Sequence, residues 1–193
     1  MFWKAPFRRR SCAALPRQFT VLGVVILGLV LQACGATDRE VSSTSTVSQV
    51  IDGDTIVIDF AGRNETVRLL GIDTPETVDP NRPVQCFGEE ASDHLRALLP
   101  VGTPVRVVRD VEARDRFGRL LVYVFRAADD LFINAVLLQE GLADLAIYAP
   151  NVAYRAAFEH ALATAQTRNA GLWAACGGAD VALDPPPVTA PVD

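Results

Sequence analysis

Apolar and polar side chains alternate through three successive stretches early in the chain, and the pattern predicts strands over 46–51, 55–60 and 65–72. Ile56, Ile58 and Phe60 share one face of the second, and Val67 and Leu69 share one face of the third. Ala61-Gly62-Arg63-Asn64 reads as a turn and makes these two a hairpin. The period then changes to helical. Ala91, Leu95, Leu98 and Leu99 mark a helix over 88–99, with Glu89 and Glu90 at its positive end and Pro100 as its stop. Two further strands are predicted over 104–112 and 120–126, separated by a turn at Phe117-Gly118. Asn134 is placed to cap a short helix over 135–140 that Gly141 ends. Asn151 is placed to cap a last helix over 152–168, with Tyr154, Phe158, Ala161, Leu162 and Ala165 as its buried stripe. This order of elements fits an α+β fold, a five-stranded OB-type Greek-key β-barrel with about three α-helices.

The ends of the chain do not follow these patterns. Residues 1–18 are basic and acid-free, 19–31 are apolar but for Thr20, and Leu31-Gln32-Ala33-Cys34 follows. A basic region, a short apolar run and a small residue describe a signal peptide over 1–33. A cysteine directly after the small residue makes Cys34 the candidate lipidated first residue. The expected location is therefore outside the cytoplasm, as a membrane-anchored lipoprotein facing the periplasm or the cell exterior. Plain secretion and an uncleaved signal anchor are the alternatives, the latter disfavoured because a spanning helix takes about 20 apolar residues. Residues 34–45 are rich in Ser, Thr and charge and read as a flexible tether, 46–176 as the folded domain, and 177–193 as a Pro-rich disordered tail.

Charge narrows the function. The 193 residues carry a formal net charge of −5, and Lys4, Arg8, Arg9, Arg10 and Arg17 all precede Cys34 with no acid among them. The folded part is thus more acidic than the whole and does not attract nucleic acid through its overall field. Such a ligand would need a local arginine cluster or a bound cation. Arg106, Arg109, Arg114, Arg116, Arg119 and Arg126 are the candidates for a cluster. Only two of the four cysteines, Cys86 and Cys176, lie in the folded part, and a pair of this kind in an exported domain favours a disulfide over a metal site. His94 and His160 fall mid-helix with no second ligand at useful spacing.

The chemistry concentrates on Asp52-Gly53-Asp54-Thr55 and on Arg68-Leu69-Leu70-Gly71-Ile72-Asp73-Thr74-Pro75-Glu76. Counting outward from the hairpin turn sets residues 54–56 opposite 68–70, and Pro75 keeps a helix from forming where the second strand ends. Asp54, Asp73, Glu76 and Arg68 are expected to converge on one end of the hairpin. Carboxylate and carbonyl oxygens suit a hard cation such as Ca²⁺, and a guanidinium suits a phosphate.

These two motifs, with Asp115-Arg116-Phe117-Gly118-Arg119, Cys86-Phe87-Gly88-Glu89-Glu90-Ala91-Ser92 and Gly171-Leu172-Trp173, resemble the staphylococcal nuclease (thermonuclease) family over roughly 46–173. The resemblance implies Ca²⁺-dependent hydrolysis of phosphodiester bonds in DNA and RNA, preferentially single-stranded or flexible, by a monomer. It gives metal-ligand roles to Asp54, Asp73 and the Thr74 carbonyl, with Asp52 acting through water. Glu76 positions or activates the attacking water, and Arg68 and Arg119 hold the phosphate. Arg116, Phe117 and Tyr148 fall in substrate-binding positions. It also implies a Cys86–Cys176 disulfide. Two positions depart from the family pattern: Phe117 stands where a phosphate-bonding tyrosine is expected, and Ala146 where a second pocket tyrosine is expected. The competing reading is a nucleic-acid-binding OB-type lipoprotein without catalysis.

Overall fold

The computed structural model describes residues 45–77 and 83–183; the signal segment, Cys34, nearly all of the tether and the tail beyond 183 lie outside these residues. The described chain runs β1 (Ser45–Val50), β2 (Thr55–Phe60), β3 (Arg63–Leu69), β4 (Gly71–Asp73), α1 (Gly88–Leu98), β5 (Pro104–Arg114), β6 (Leu120–Arg126), β7 (Leu131–Phe132), α2 (Ile133–Gln139), β8 (Asp144–Ala146), α3 (Arg155–Thr167) and α4 (Leu172–Ala175).

Strands β1, β2 and β3 form an antiparallel meander, β5 pairs with β1 and β6, and β6 returns to pair in parallel with β3. That last pairing closes a five-stranded barrel. Alternation puts Val47, Ile56, Ile58, Val67, Leu69, Val122 and Val124 inside. Helices α1 and α2 and the aromatic Phe158 of α3 cover the rest of the core. Tyr123, Phe132, Tyr154 and Phe158 meet mostly edge-on or tilted where α3 crosses the barrel. The hairpin register differs by one residue from the one counted from the turn: Arg63 and Asn64 belong to β3, Phe60 pairs with Arg63 around a turn of Ala61-Gly62 alone, and Thr55 rather than Ile56 stands opposite Arg68.

Several elements differ from the sequence reading for identifiable reasons. The strand expected over 65–72 is two strands. Leu69 and Leu70 are both buried, and the break comes at Gly71, which turns the chain with φ of 79°. A Cβ there would stand 2.3 Å from the Phe158 ring, so this turn also lets α3 approach. The resulting β4 pairs with β8, a strand too short to show a period. The helices number four among the described residues rather than about three, because α4 is a single turn.

Neither asparagine caps a helix. Asn134 lies inside α2, fully buried, where its Oδ1 accepts the Val124 N–H at 2.9 Å and its Nδ2 donates to the Leu70 carbonyl at 2.9 Å. Helix α3 begins at Arg155, and Asn151 instead exchanges two hydrogen bonds with the Glu112 backbone on β5. The tail is ordered at least as far as Leu183: Cys86 N–H donates to the Val181 carbonyl and Leu183 N–H to the Val84 carbonyl. The Cys86–Cys176 disulfide is present and spans 90 residues.

Asn134 serves two backbone groups on different elements, the Val124 N–H and the Leu70 carbonyl. Its replacement, Asn134→Ala, is expected to cost roughly 2–4 kcal/mol in urea unfolding, the sum expected for two buried groups left unpaired. A loss below about 1 kcal/mol would show that these groups find other partners.

Candidate active site

The site is built at the β2/β3 end of the barrel. Asp52 and Asp54 sit in the tight connection between β1 and β2, where Ile51 and Asp52 N–H both point at the Thr55 carbonyl. Asp52 Oδ1 accepts the Asp54 N–H at 3.0 Å, the local bond that makes Asp-x-Asp a turn former. Gly53 is required for steric reasons, since a Cβ there would lie 2.8 Å from Thr74 Cβ. The missing side chain lets the loop after β4 close onto Asp54.

Asp54 is 6% exposed, and both of its carboxylate oxygens are engaged. Oδ1 accepts the Thr55 hydroxyl, and Oδ2 accepts the Thr74 N–H at 3.1 Å and the Thr74 hydroxyl at 3.2 Å. Arg68 Nη1 stands 2.9 Å from the same oxygen. The guanidinium reaches on to the Leu69 and Ile72 carbonyls and to Asp73 Oδ1 at 2.6 Å. Arg68 is thus the hub between a buried acid and an exposed one. Burial raises the Asp54 carboxyl from its ordinary 3.8 to about 7, against the pull of Arg68 and the Thr74 N–H and with the charges of Asp52 and Asp73 adding to the rise.

Arg119 comes from the turn that precedes β6. Asp115 Oδ1 accepts the Phe117 and Arg119 N–H groups, and its Oδ2 accepts Arg119 Nε at 2.7 Å. Burial would raise the Asp115 carboxyl, but the hydrogen bonds and charge of Arg119 and the Phe117 N–H hold it below the usual range. Asp115 therefore organises the turn and aims the arginine. In the parallel ladder Arg68 stands opposite Leu121. Arg119 lies two residues before Leu121, on the same face and about 7 Å along the strand. Phe117 is exposed, with the Arg116 and Arg119 guanidiniums 4.6 and 5.5 Å from its ring centre.

Beside Asp73 lies a pocket of about 150 Å³ whose lining includes Asp73, Thr74, Asp144, Ala146, Tyr148 and Asp180. Tyr148 is 78% exposed. Its loop is clipped to β5 by Asn151 and by Asp110, whose Oδ2 accepts both the Tyr123 hydroxyl and the Ala153 N–H.

The expected convergence of three carboxylates needs correction. Arg68 joins Asp54 to Asp73, but among the described residues no three His, Cys, Asp or Glu side chains form a group able to hold a metal ion. Glu76 Oε1 accepts the Thr77 N–H, and both Glu76 backbone groups bond to Gln85. The hard-oxygen donors that Arg68 draws together here are the Asp54 and Asp73 carboxylates. They suit a divalent ion that keeps several waters, and the raised Asp54 carboxyl shows that Arg68 alone does not offset its burial. The wider arginine cluster is partly ordinary pairing: Arg106, Arg114 and Arg126 hold Asp130, Glu65 and Asp129. Sequence reasoning missed Gln85, Asp110 and the pocket role of Asp180, because each acts through contacts distant in sequence.

The family model described as "Staphylococcal nuclease homologue" matches residues 66–175. The thermonuclease of Staphylococcus intermedius is 42% identical over 161 residues, covering 79% of this chain and 94% of the relative. The thermonuclease of Staphylococcus hyicus is 42% identical over 130 residues, 67% of this chain and 75% of the relative. Endonuclease YncB of Bacillus subtilis (strain 168) is 38% identical over 133 residues, 68% of this chain and 62% of the relative.

The raised Asp54 carboxyl fixes a pH signature for protein stripped of divalent ions. The folded chain takes up the proton near pH 7 and the unfolded chain near 3.8, so stability rises as pH falls through that window. The rise is at most about 1.4 kcal/mol per pH unit. Asp54→Asn is expected to remove this dependence in urea unfolding with chelator at pH 8, 7 and 6. A stability difference between wild type and variant that stays constant over this range would contradict it.

Proposed function

From the premise that the chain belongs to the staphylococcal nuclease family and is a nuclease hydrolase, we propose that it is a Ca²⁺-dependent enzyme that cleaves DNA and RNA outside the cytoplasm. The observation that carries this reading is the Arg68 hub. It gathers a buried and an exposed carboxylate on the barrel face from which Arg119 also rises.

Asp54, Asp73 and the Thr74 carbonyl are the groups that would hold Ca²⁺. When bound, the ion supplies positive charge against the phosphate and favours a deprotonated water. Glu76 takes a proton from the attacking water as general base. Arg68 and Arg119 present paired N–H donors to the non-bridging phosphate oxygens, where charge grows in the transition state. Asp115 keeps Arg119 oriented before substrate arrives, so little reorganisation is needed. Arg116, Phe117 and Tyr148 offer cationic and ring surfaces to the flanking nucleotides. The exposed Phe117 and Tyr148 rings, against which unpaired bases can stack, support a preference for single-stranded or flexible substrates. Ala146 in the pocket lining, where the family pattern expects a second tyrosine, supports weak base preference. The proposed working form is a monomer.

Location completes the proposal. Cys34 is proposed to carry the lipid that tethers the nuclease to the membrane, with residues 35–44 as spacer. The disulfide supports an oxidising compartment. Cys34→Ser is expected to move the protein from the membrane to the soluble fraction. Retention of that variant in the membrane fraction would favour a signal anchor.

The test of function uses the full chain in detergent micelles with single-stranded DNA and RNA oligonucleotides. Cleavage with Ca²⁺ is expected, and loss of cleavage with chelator. Glu76→Gln is expected to lower kcat about 10²–10⁴-fold, and Arg119→Ala about 10²–10³-fold. Folded wild-type protein that cleaves neither substrate, or cleaves equally in chelator, would overturn the proposal.

A further inference from the structure

One buried side chain ties the loop carrying Glu76 to the far end of the chain. Gln85 is 7% exposed. Its Oε1 accepts the Glu76 N–H at 2.6 Å, and its own N–H donates to the Glu76 carbonyl at 2.9 Å. Glu76 lies in no strand or helix, so no ladder fixes its backbone. Both of its main-chain groups end on this one residue.

The other end of the Gln85 amide is also held. Nε2 donates to Asp180 Oδ1 at 3.0 Å. A primary amide has one accepting and one donating end, so a carboxylate on the donating side fixes which end meets Glu76. Flipped, the amide would set N–H against N–H at Glu76 and oxygen against carboxylate at Asp180. Asp180 belongs to a strap, residues 177–183, whose backbone is fastened two ways. Cys176, just before it, is bonded to Cys86, and Gln85 bridges Ala182 as an antiparallel pair through the Cys86 and Leu183 N–H groups, which donate to the Val181 and Val84 carbonyls. Ala179 and Asp180 also line the pocket beside Asp73 and Tyr148.

We propose that Gln85 is a positioning residue for Glu76, and that the disulfide-tethered strap sets its orientation through Asp180. The inference rests on the reading of Glu76 as the general base. Gln85, 9 residues along the chain, and Asp180, 95 residues beyond it, thus act together on the main chain of one catalytic residue. The C-terminal strap acts on turnover as well as on stability. A displaced base weakens the proton-transfer step while leaving Arg68, Arg119 and the ring surfaces to bind substrate, so the effect falls on kcat rather than KM.

The experiment measures kcat and KM for the full chain in detergent micelles with Ca²⁺ and a single-stranded DNA oligonucleotide, below the unfolding midpoint of every variant. Gln85→Ala is expected to lower kcat roughly tenfold or more, with KM changed by less than about twofold. In a Glu76→Gln background the same substitution is expected to cause no further loss. Gln85→Glu sets two carboxylates face to face and is expected to lower kcat. Adding Asp180→Asn supplies an amide donor to the new carboxylate and is expected to restore most of it. Unchanged kcat in Gln85→Ala, with cleavage abolished by Glu76→Gln, overturns the inference and leaves the nuclease reading intact. Full cleavage by Glu76→Gln overturns the role of Glu76 and the inference with it. Should Gln85→Ala fail to fold, the charged pair decides: equal kcat in Gln85→Glu with and without Asp180→Asn overturns the proposal.

Discussion

A carboxylate buried under a closed barrel is the constraint from which the rest of the site follows. Asp54 is held almost out of water, and an isolated charge in such a place is strongly disfavoured. Its stability there depends on Arg68, two N–H or hydroxyl donors from Thr74, and the Thr55 hydroxyl. Each partner needs its own placement. The hairpin register brings Arg68 across from Thr55, Gly53 leaves room for Thr74, and Gly71 turns the chain so that Asp73 can meet the other side of Arg68. Even so, burial outweighs the compensation and the carboxyl remains raised. The geometry therefore stores an electrostatic demand that a hard cation at Asp54 and Asp73 would answer.

Closure of the barrel supplies the second half of the site. The parallel pairing of β3 with β6 joins strands far apart in sequence and sets Arg119 on the face of Arg68. Outside the barrel, the loops lack ladders, and polar side chains substitute for them. Asn134 ties α2 to β6 and to the end of β3, Asn151 ties the Tyr148 loop to β5, and Gln85 ties the Glu76 loop to the C-terminal strap. In each case one amide serves a donor and an acceptor at once. Rigid placement of loop residues by such clips is how a small barrel can hold catalytic groups on segments without regular structure.

Much of this was legible in the chain because it is local. The hairpin, the α1 stripe and the β5 and β6 strands all follow from spacing and turn chemistry within a few residues, although the hairpin register slips by one because the turn is two residues rather than four. The Cys86–Cys176 bond was legible only through family resemblance. What was hidden depends on distant contacts. Asn134 and Asn151 carry strong capping propensity, yet each is better used satisfying backbone on another element. The doublet Leu69-Leu70 before Gly71 was a visible break in alternation, and the split into β3 and β4 follows it. Residues 177–183 have little to bury, so composition suggested disorder, but the disulfide and the pairing with 84–86 hold them.

The central claim is that the Asp54–Arg68–Asp73 arrangement is a cation site. Calorimetric titration of Ca²⁺ into the chelator-treated full chain tests it most directly. The account predicts saturable binding by the wild type, little or none by Asp54→Asn and Asp73→Asn, and near-normal binding by Arg119→Ala. Ca²⁺ binding that is equal in all four proteins, or absent from the folded wild type, would contradict it.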